Sequence, residues 1–318
     1  MESFDGRLAV VTGGGTGMGR ELVLQLAAAG ASVATCDLHV DALDDTAAAA
    51  RAGAPAGVKI STHACDVSDE SQMMRFRDEV LAAHDTDHVN LVFNNAGIGG
   101  GGSFLTASRE EWERTFGVCW GGVYNGSRAF LPLLVASDEG YLVNTSSVNG
   151  FWASLGPGVP HTAYSAAKFA VKGFTEALLE DLRLNAPHVK AAVVMPGHIG
   201  TDIVINSRKV HARSEPAADE SQQVALIRQG MEQRGLSAEG MTDEQLLEIS
   251  EMFGQMFRDT APMTAAQAAT VILDGVREDR WRILVGDDAV ALDQAVRADP
   301  EAAYGPEGLA LGTIIGTA

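Results

Sequence analysis

Cysteine is scarce in this chain of 318 residues, and the three cysteines that occur are far apart in the sequence. Cys36, Cys65 and Cys119 form no Cys-x-x-Cys pair, which argues against a disulfide framework and against a zinc site built on thiolates. No spacing of histidine, aspartate and glutamate suggests another metal site. We therefore expect reduced thiols, as in cytoplasmic proteins, and no bound metal.

Basic residues are also few, because 23 lysines and arginines stand against 42 aspartates and glutamates and give a formal net charge of −19. Nucleic acids and anionic membrane surfaces are bound through basic patches, so neither is an expected partner. Long apolar runs are missing, and none reaches the roughly 18 residues of a membrane-spanning helix. The first residues lack the pattern of a secretory signal, so we expect a cytoplasmic location.

Short apolar segments alternate with amphipathic ones, and a glycine-rich or polar cluster follows most apolar segments directly. This alternation predicts a three-layer α/β fold, a doubly wound parallel sheet (Rossmann fold) with its ligand site at the carboxyl ends of the strands. We assign residues 1–318 to a single domain. The predicted strands are 8–11, 31–36, 58–64, 89–93, 140–144, 189–195 and 281–285. The predicted helices are one closed by Gly30, then 40–52, one capped by Ser68 that ends at 83, and 108–117, 119–136, 162–185, 222–234, 242–258, 264–278 and 287–298.

The alternation lapses between about 202 and 262, where charged and polar residues dominate 207–223 before two helical patterns follow. Long insertions in compact domains are often functional. We interpret 202–262 as a helical lid or substrate-binding segment within the domain. The alternative is a helical pair that packs on the surface without a role in binding.

Glycines cluster between the first strand and the first helix, in the pattern Thr12-Gly-x-x-x-Gly-x-Gly19. Glycine lets the backbone turn tightly and approach a pyrophosphate, and the helix N-terminus offers free N–H groups and a positive dipole end. Met18 breaks a strict Gly-x-Gly-x-x-Gly, and Arg20-Glu21 replace the Lys-Ser/Thr of a P-loop. The cluster therefore predicts a dinucleotide site, and its alternative is a merely flexible loop.

Asp37 ends the second predicted strand, where a carboxylate accepts hydrogen bonds from the adenosine ribose and repels a 2′-phosphate. Thr16 and Leu38, at positions where a basic residue would receive that phosphate, are uncharged. These residues favour NAD over NADP, unless Asp37 only ends its strand or caps the next helix.

Tyr164 and Lys168 stand four residues apart at the start of a strongly periodic helical segment, so their side chains share one helix face. An ammonium group next to a phenol favours phenolate, and we expect it to lower the tyrosine pKa towards the range of a general acid and base. The pair alone is common by chance, as an interfacial aromatic residue beside a solvated cation.

Five motifs occur in order, each after a predicted strand or at the start of a helix: Thr12-Gly-x-x-x-Gly-x-Gly19, Asn94-Asn-Ala-Gly97, Ser147, Tyr164-x-x-x-Lys168 and Pro196-Gly-x-x-x-Thr201. Together they resemble the short-chain dehydrogenase/reductase (SDR) family, closely over residues 7–202 and loosely over 263–300. The resemblance implies an oxidoreductase that acts on CH–OH groups with a nicotinamide cofactor. It also implies a homotetramer or homodimer built partly on the helix of Tyr164.

The resemblance further assigns roles to individual residues. The catalytic set is Ser147, which hydrogen-bonds the substrate oxygen, Tyr164, which transfers the proton, and Lys168, which holds the nicotinamide ribose and lowers the tyrosine pKa. The cofactor-binding set, from the pyrophosphate and adenosine to the nicotinamide end, is Gly13, Thr16, Gly17, Met18, Asp37, Asp66, Val67, Asn94, Ala96, Gly97, Tyr164, Lys168, Pro196, Gly197, Ile199 and Thr201.

Two departures from the family pattern concern the active site. Cys119 stands where the family carries an asparagine that holds a water of the proton relay, and a thiol is a poor substitute. The segment between Ser147 and Tyr164 is longer than usual and carries Phe151 and Trp152. We interpret that segment as a pocket wall that favours an apolar, fairly bulky substrate. The alternative is a loop that packs on the lid.

His161 and His198 lie beside the proposed site, and each either touches substrate or is a hydrogen-bonded structural histidine. The function predicted overall is hydride transfer between NAD and a secondary alcohol or ketone. A second hypothesis, favoured only by Cys119, is an NAD(H)-binding regulatory or scaffold protein with little turnover.

Overall fold

Seven parallel strands form one sheet in this computed structural model, which describes residues 1–156, 159–214, 224, 227–228, 231, 237–305 and 308–309. In chain order the strands of this sheet are β1 (Leu8–Thr12), β2 (Ser32–Asp37), β3 (Ile60–Ala64), β4 (Leu91–Asn94), β5 (Gly140–Thr145), β6 (Val189–Pro196) and β9 (Arg282–Val285). Their spatial order is β3-β2-β1-β4-β5-β6-β9, and every neighbouring pair is parallel. From β1 the next strands in sequence are added on one side of the sheet, and from β4 onwards they are added on the other side. Doubly wound sheets bind ligands at this switch between β1 and β4.

Helices cover both faces of this sheet. They are α1 (Gly17–Ala28), α2 (Val40–Gly53), α3 (Glu70–His84), α4 (Arg109–Phe116), α5 (Gly122–Val135), α6 (Thr162–Asn185), α7 (Ile203–Ser214), α8 (Asp243–Asp259), α9 (Ala265–Arg277) and α10 (Asp287–Ala298). Successive strand residues face opposite sides, so Val11 joins the core under α1 and α9 while Val10 joins the core under α3, α5 and α6. The predicted three-layer fold is confirmed. No helix within the described ranges has the length and hydropathy needed to cross a membrane.

Two local predictions are wrong. The helices expected at 108–117 and 119–136 are continuous, because a π-helical turn at Gly117–Gly121 joins α4 to α5 and contains Cys119. Asp69 rather than Ser68 caps α3, since its carboxylate accepts the backbone N–H groups of Ser71 and Gln72. A carboxylate at the N-cap satisfies free N–H groups and opposes the positive helix end, which favours Asp69 over a serine.

The insertion at 202–262 begins with α7, a helix that the polar composition of 207–223 did not predict. Its first turn is apolar and packs closely on α8, because a Cβ added to Gly254 would lie 2.6 Å from Ile205 Cγ1. At the base of the insertion, β7 (Ile199–Gly200) and β8 (Met263–Thr264) form a two-stranded parallel sheet. The helix predicted at 222–234 lies mostly outside the described residues.

Replacement of Gly126 by alanine should destabilise the fold by about 2–3 kcal/mol, because its Cβ would lie 2.1 Å from the amide oxygen of Asn94. Asn94 is buried and donates to Asn144, which in turn donates to Thr175. Gly173 is the matched control, since an added Cβ meets no atom within 4 Å and alanine there should be neutral or mildly stabilising. Urea unfolding of both variants measures the difference, and equal midpoints would contradict this account.

Candidate active site

The glycine turn between β1 and α1 forms one wall of a cleft at the carboxyl ends of the central strands. A Cβ on Gly19 would lie 2.0 Å from the carbonyl oxygen of Gly13, and one on Gly13 would lie 2.9 Å from the Cα of Ala96. Gly13 and Gly17 also have positive φ angles of 71° and 55°. Glycine is therefore required by geometry here, and the merely flexible loop is excluded as the full explanation.

Ten residues predicted to bind cofactor line this one cleft, namely Gly13, Thr16, Gly17, Met18, Asp37, Asp66, Val67, Ala96, Gly97 and Thr201. Asn94 does not line the cleft, because it is buried and its amide donates to Asn144 and Ser127, linking β4 to β5 and α5. Pro196, Gly197 and Ile199 also lie outside its lining, at the end of β6 and in β7. Their predicted roles in cofactor binding remain predictions.

Asp37 faces the cleft from the end of β2, as the sequence predicts. One oxygen of its carboxylate accepts the backbone N–H of Gly15 at 3.0 Å, and the other accepts that of His39 at 3.1 Å. Each carboxylate oxygen can accept a second hydrogen bond, so the group keeps capacity for hydroxyl donors in the cleft. Asp37 thus stabilises the glycine turn, and its negative charge acts on any ligand bound in the cleft.

Asp66 has local partners that were not predicted. Arg114 donates to one oxygen of its carboxylate at 2.7 Å, and the hydroxyl and backbone N–H of Ser68 donate to the other. Burial of the carboxyl is opposed by these hydrogen bonds and by the arginine charge, and the net result is a lowered pKa. Because Asp66 is tied to α4, it forms a fixed side of the cleft.

Ser147, Tyr164 and Lys168 come together beyond the end of β5. The Ser147 hydroxyl is hydrogen-bonded to Tyr164 and also accepts the backbone N–H of Asn149 at 3.1 Å. Lys168 is buried, and its Nζ donates to the carbonyl oxygen of Thr145 at 2.9 Å while lying 5.3 Å from the centroid of the Tyr164 ring. A hydroxyl pair beside a fixed cation is the arrangement that proton transfer to a carbonyl or alkoxide oxygen requires.

The expectation that the tyrosine pKa falls towards the range of a general acid and base is wrong for the folded chain. Burial raises the pKa of Tyr164 well above its ordinary value, and the hydrogen bond to Ser147 offsets this only in part. The Lys168 ammonium lies over the ring, its charge does not overcome the effect of burial on the hydroxyl, and burial lowers the pKa of the lysine itself. The sequence showed the pair but not the depth at which it is buried.

Cys119 is fully buried in the π-helical turn, next to these residues. Its thiol donates to the carbonyl oxygen of Ile98 at 3.1 Å, so it is held towards the loop after β4. A Cβ on Gly97 would lie 3.5 Å from Lys168 Nζ and 3.7 Å from Cys119 Sγ, which places ammonium and thiol on the same side of that loop. The thiol occupies the space beside the lysine and offers a weak acceptor at most.

Helix α7 closes over the cleft, and its contacts were missed because the helix itself was not predicted. Asn206 donates to the Thr16 hydroxyl at 3.2 Å, and Ser207 accepts the Gly99 backbone N–H at 2.7 Å. His211 Nε2 lies 2.9 Å from the Gly99 carbonyl oxygen. Ser207 and His211 stand four residues apart and share one helix face, and this spacing was the available signal. The three contacts hold α7 between the glycine turn and the loop after β4.

The two histidines beside the site differ in their contacts. His198 is structural, since its Nε2 lies 2.6 Å from the carbonyl oxygen of Phe257 and its ring packs on that phenylalanine. His161 instead stacks on Tyr164, with ring centroids 4.7 Å apart. Among the described residues no group of histidine, cysteine, aspartate and glutamate is suited to hold a metal ion.

Replacement of His161 by phenylalanine should flatten the dependence of stability on pH between about 6.5 and 4. Burial lowers its pKa from 6.5 to about 4. The unfolded chain therefore binds more protons in this window, and stability falls as the pH is lowered. Urea unfolding at pH 7.5 and 4.5 should show a loss for the wild type about 1–3 kcal/mol larger than for the variant. Equal losses of stability in the two proteins would contradict this prediction. The pKa of His84 is also lowered to about 4, but His84 is present in both proteins and contributes equally to both losses.

Comparison with known proteins agrees with this geometry. The family model described as short chain dehydrogenase matches residues 7–212. The chain belongs to the short-chain dehydrogenase family. Its members are oxidoreductases that act on alcohol and ketone groups, and that activity class applies to this chain.

Individual relatives match the chain to different extents. It is 34% identical over 298 residues to SadH of Mycobacterium tuberculosis, covering 93% of this chain and 92% of SadH. It is 35% identical to meso-2,3-butanediol dehydrogenase of Serratia marcescens, covering 56% of this chain and 66% of that enzyme. A short-chain dehydrogenase/reductase of Burkholderia phymatum, solved with NAD, has a TM-score of 0.76 and 28% identity and covers 96% of this chain and 98% of its own. Another matched structure of the family holds NADP.

Proposed function

We propose that this short-chain dehydrogenase transfers hydride between NAD and a secondary alcohol or ketone, with Tyr164 as general acid and base. The observation that carries the proposal is the convergence of Tyr164, Ser147 and Lys168 next to the glycine cleft. The cleft fits a dinucleotide, because its floor is backbone that an added Cβ would fill and α1 starts there with free N–H groups. When bound, nicotinamide supplies the hydride acceptor or donor.

The residues of the chain would handle the proton and the oxygen. Ser147 would hydrogen-bond the reacting oxygen, and Tyr164 would give that oxygen a proton on reduction and remove it on oxidation. Because burial raises the tyrosine pKa, the neutral phenol is the ground state, which suits the donor role in carbonyl reduction. We retain the proposal of an apolar, fairly bulky substrate from the sequence, because buried Trp152 and partly buried Phe151 pack with Leu292 of α10 and do not line the cleft.

A panel of alcohols and ketones tests this function. Purified protein is mixed with NAD and secondary alcohols, or with NADH and ketones, while the absorbance of reduced nicotinamide is followed. We expect turnover with aryl or long-chain substrates at rates above those with 2-propanol or acetone. Tight NADH binding without turnover anywhere in the panel would favour the second function, an NAD(H)-binding regulatory or scaffold protein. Cys119, whose thiol donates to the Ile98 carbonyl oxygen, is the observation on its side.

We propose NAD rather than NADP as the cofactor because the Asp37 carboxylate faces the cleft next to uncharged Thr16 and Leu38. The double variant Asp37→Asn, Leu38→Arg should lower the ratio of kcat/KM for NAD to that for NADP by about a hundredfold, since it removes a repulsive charge and adds a phosphate ligand. Asparagine keeps the acceptor for the Gly15 N–H. Steady-state kinetics with both cofactors measures the ratio. Asp37→Asn alone should change the ratio less than the double variant does. An unchanged ratio in the double variant would refute the assignment of NAD.

We also propose a homodimer or homotetramer built partly on α5 and α6. These helices expose large apolar side chains, with Tyr124 43%, Phe169 42% and Leu184 82% exposed. Light scattering at micromolar concentration tests the assembly, and a monomer would contradict it. A small-molecule substrate is the expected partner, and the net charge of −19 does not favour nucleic acid.

A further inference from the structure

His161 is a polar side chain beside the candidate reacting hydroxyl that the proposed chemistry does not use. Its ring lies against that of Tyr164 with centroids 4.7 Å apart and planes inclined by 32°. It precedes α6 as the N-cap residue, yet its side chain makes no capping hydrogen bond. The contact with Tyr164 therefore accounts for the position of the ring, but it gives the ring nitrogens no hydrogen bond.

The backbone around His161 is held firmly. The N–H of Thr162 donates to the Gly102 carbonyl oxygen at 2.9 Å, and that of Ala163 donates to the Gly101 carbonyl oxygen at 3.0 Å. Its own carbonyl oxygen accepts the Ser165 N–H at 3.1 Å. The helix start is thus fixed on both sides, and the imidazole is placed before any ligand arrives.

The imidazole nitrogens have no hydrogen-bond partner within the part of the chain that the structure describes. His198 and His211, the other histidines of this region, are each within hydrogen-bond distance of a backbone carbonyl oxygen. A partly buried imidazole without partners loses the hydrogen bonds that it would make in water. A ligand oxygen placed there would restore them.

His161 is neutral at neutral pH, because burial lowers its pKa to about 4. A neutral imidazole offers one N–H donor and one acceptor nitrogen, which together suit a hydroxyl group or, through the donor, a carbonyl oxygen. From the N-cap position before α6, the ring lies alongside the phenol of Tyr164. Its nitrogens can therefore reach only groups close to the atom that Tyr164 binds.

We propose that His161 forms a polar subsite for a second oxygen of the substrate, carried one or two carbons from the reacting carbon. The preferred substrates are then vicinal diols or α-hydroxyketones with an apolar remainder. This inference rests on the proposed function, since it places the second oxygen relative to the oxygen bound by Tyr164. Of the two alternatives for His161, it takes substrate contact.

Two ketones with one carbon skeleton test the subsite, namely 2-hydroxy-1-phenylpropan-1-one and propiophenone. We expect the wild type to reduce the hydroxyketone with a kcat/KM at least about tenfold higher. His161→Phe keeps an aromatic ring without nitrogens and should bring the ratio of the two kcat/KM values close to one. His161→Gln keeps hydrogen-bonding capacity and should retain part of the preference. His88→Phe, at a partly exposed surface histidine, is the control variant.

A binding measurement separates failure of the subsite from failure of the proposed function. Where a ketone is not reduced, its dissociation constant is measured on the NADH complex by tryptophan fluorescence. If the wild type reduces neither ketone, the proposed function fails, while the ratio of dissociation constants still decides the subsite. Equal affinity for the two ketones, or an equal loss of both in His161→Phe at unchanged melting temperature, would overturn the subsite.

Discussion

Tyr164→Phe is expected to lower kcat by about 10²–10⁴-fold, the ordinary contribution of a positioned general acid and base. The variant keeps the ring and therefore the stacking on His161, and it loses only the hydroxyl that is hydrogen-bonded to Ser147. Affinity for NADH should remain within a few-fold, because the glycine turn and Asp37 are untouched. Stopped-flow single turnovers and NADH fluorescence titrations measure the two quantities.

A matched control for this variant is Tyr124→Phe, which removes a hydroxyl from a tyrosine on α5 and keeps its apolar ring for the proposed subunit interface. It should leave both rate and affinity unchanged. Full activity in Tyr164→Phe would remove Tyr164 from the proton transfer. A loss of NADH affinity equal to the loss of rate would show instead that the variant has a disturbed cleft.

Lys168→Met is expected to lower kcat by about 10²-fold or more at neutral pH and to move the rise of activity to higher pH. The Nζ of Lys168 donates to Thr145 and lies 5.3 Å from the Tyr164 ring centroid, so methionine removes a nearby positive charge at similar volume. A positive charge favours phenolate, and its loss adds to the effect of burial and raises the tyrosine pKa further. The pH profile of kcat for alcohol oxidation measures the shift.

Lys172→Met is the matched control on the same helix, because Lys172 is partly exposed and pairs with Glu176. Surface pairs of this kind contribute little to stability, and the variant should have wild-type kinetics. A pH profile of Lys168→Met that falls without shifting would contradict an electrostatic role. It would then indicate that Lys168 acts mainly by holding the carbonyl of Thr145 in place.

The sequence was sufficient to predict local structure where a residue pattern is compatible with only one conformation. The span predicted for the helix of Tyr164 is the one observed, because its apolar stripe continues without interruption from Ala167 to Leu182. The glycine turn was equally determined, since the backbone approaches at Gly13 and Gly19 allow no other residue. Each of these features is encoded locally, either by close backbone contacts that require glycine or by apolar residues that recur along one helix face.

Other features depend on three-dimensional surroundings that the sequence does not display. The direction of the Tyr164 pKa shift follows from burial under distant segments, and the sequence pair alone suggested the opposite sign. Helix α7 was missed because its apolar contacts, such as Ile205 against Gly254, occupy one narrow side of a polar segment. The partners of Asp66 come from α4 and from Ser68, and only the fold brings Arg114 to that carboxylate.

Transfer of deuterium from a labelled alcohol tests the central claim most directly. The protein is mixed with NAD and 1-phenyl-1-propanol deuterated at its carbinol carbon, and the reduced nucleotide is analysed by mass spectrometry. The account predicts deuterium on the nicotinamide in stoichiometric amount for the wild type and its near absence for Tyr164→Phe over the same time. Equal transfer in both proteins, or none in the wild type with this alcohol and the rest of the panel despite bound NAD, would contradict it.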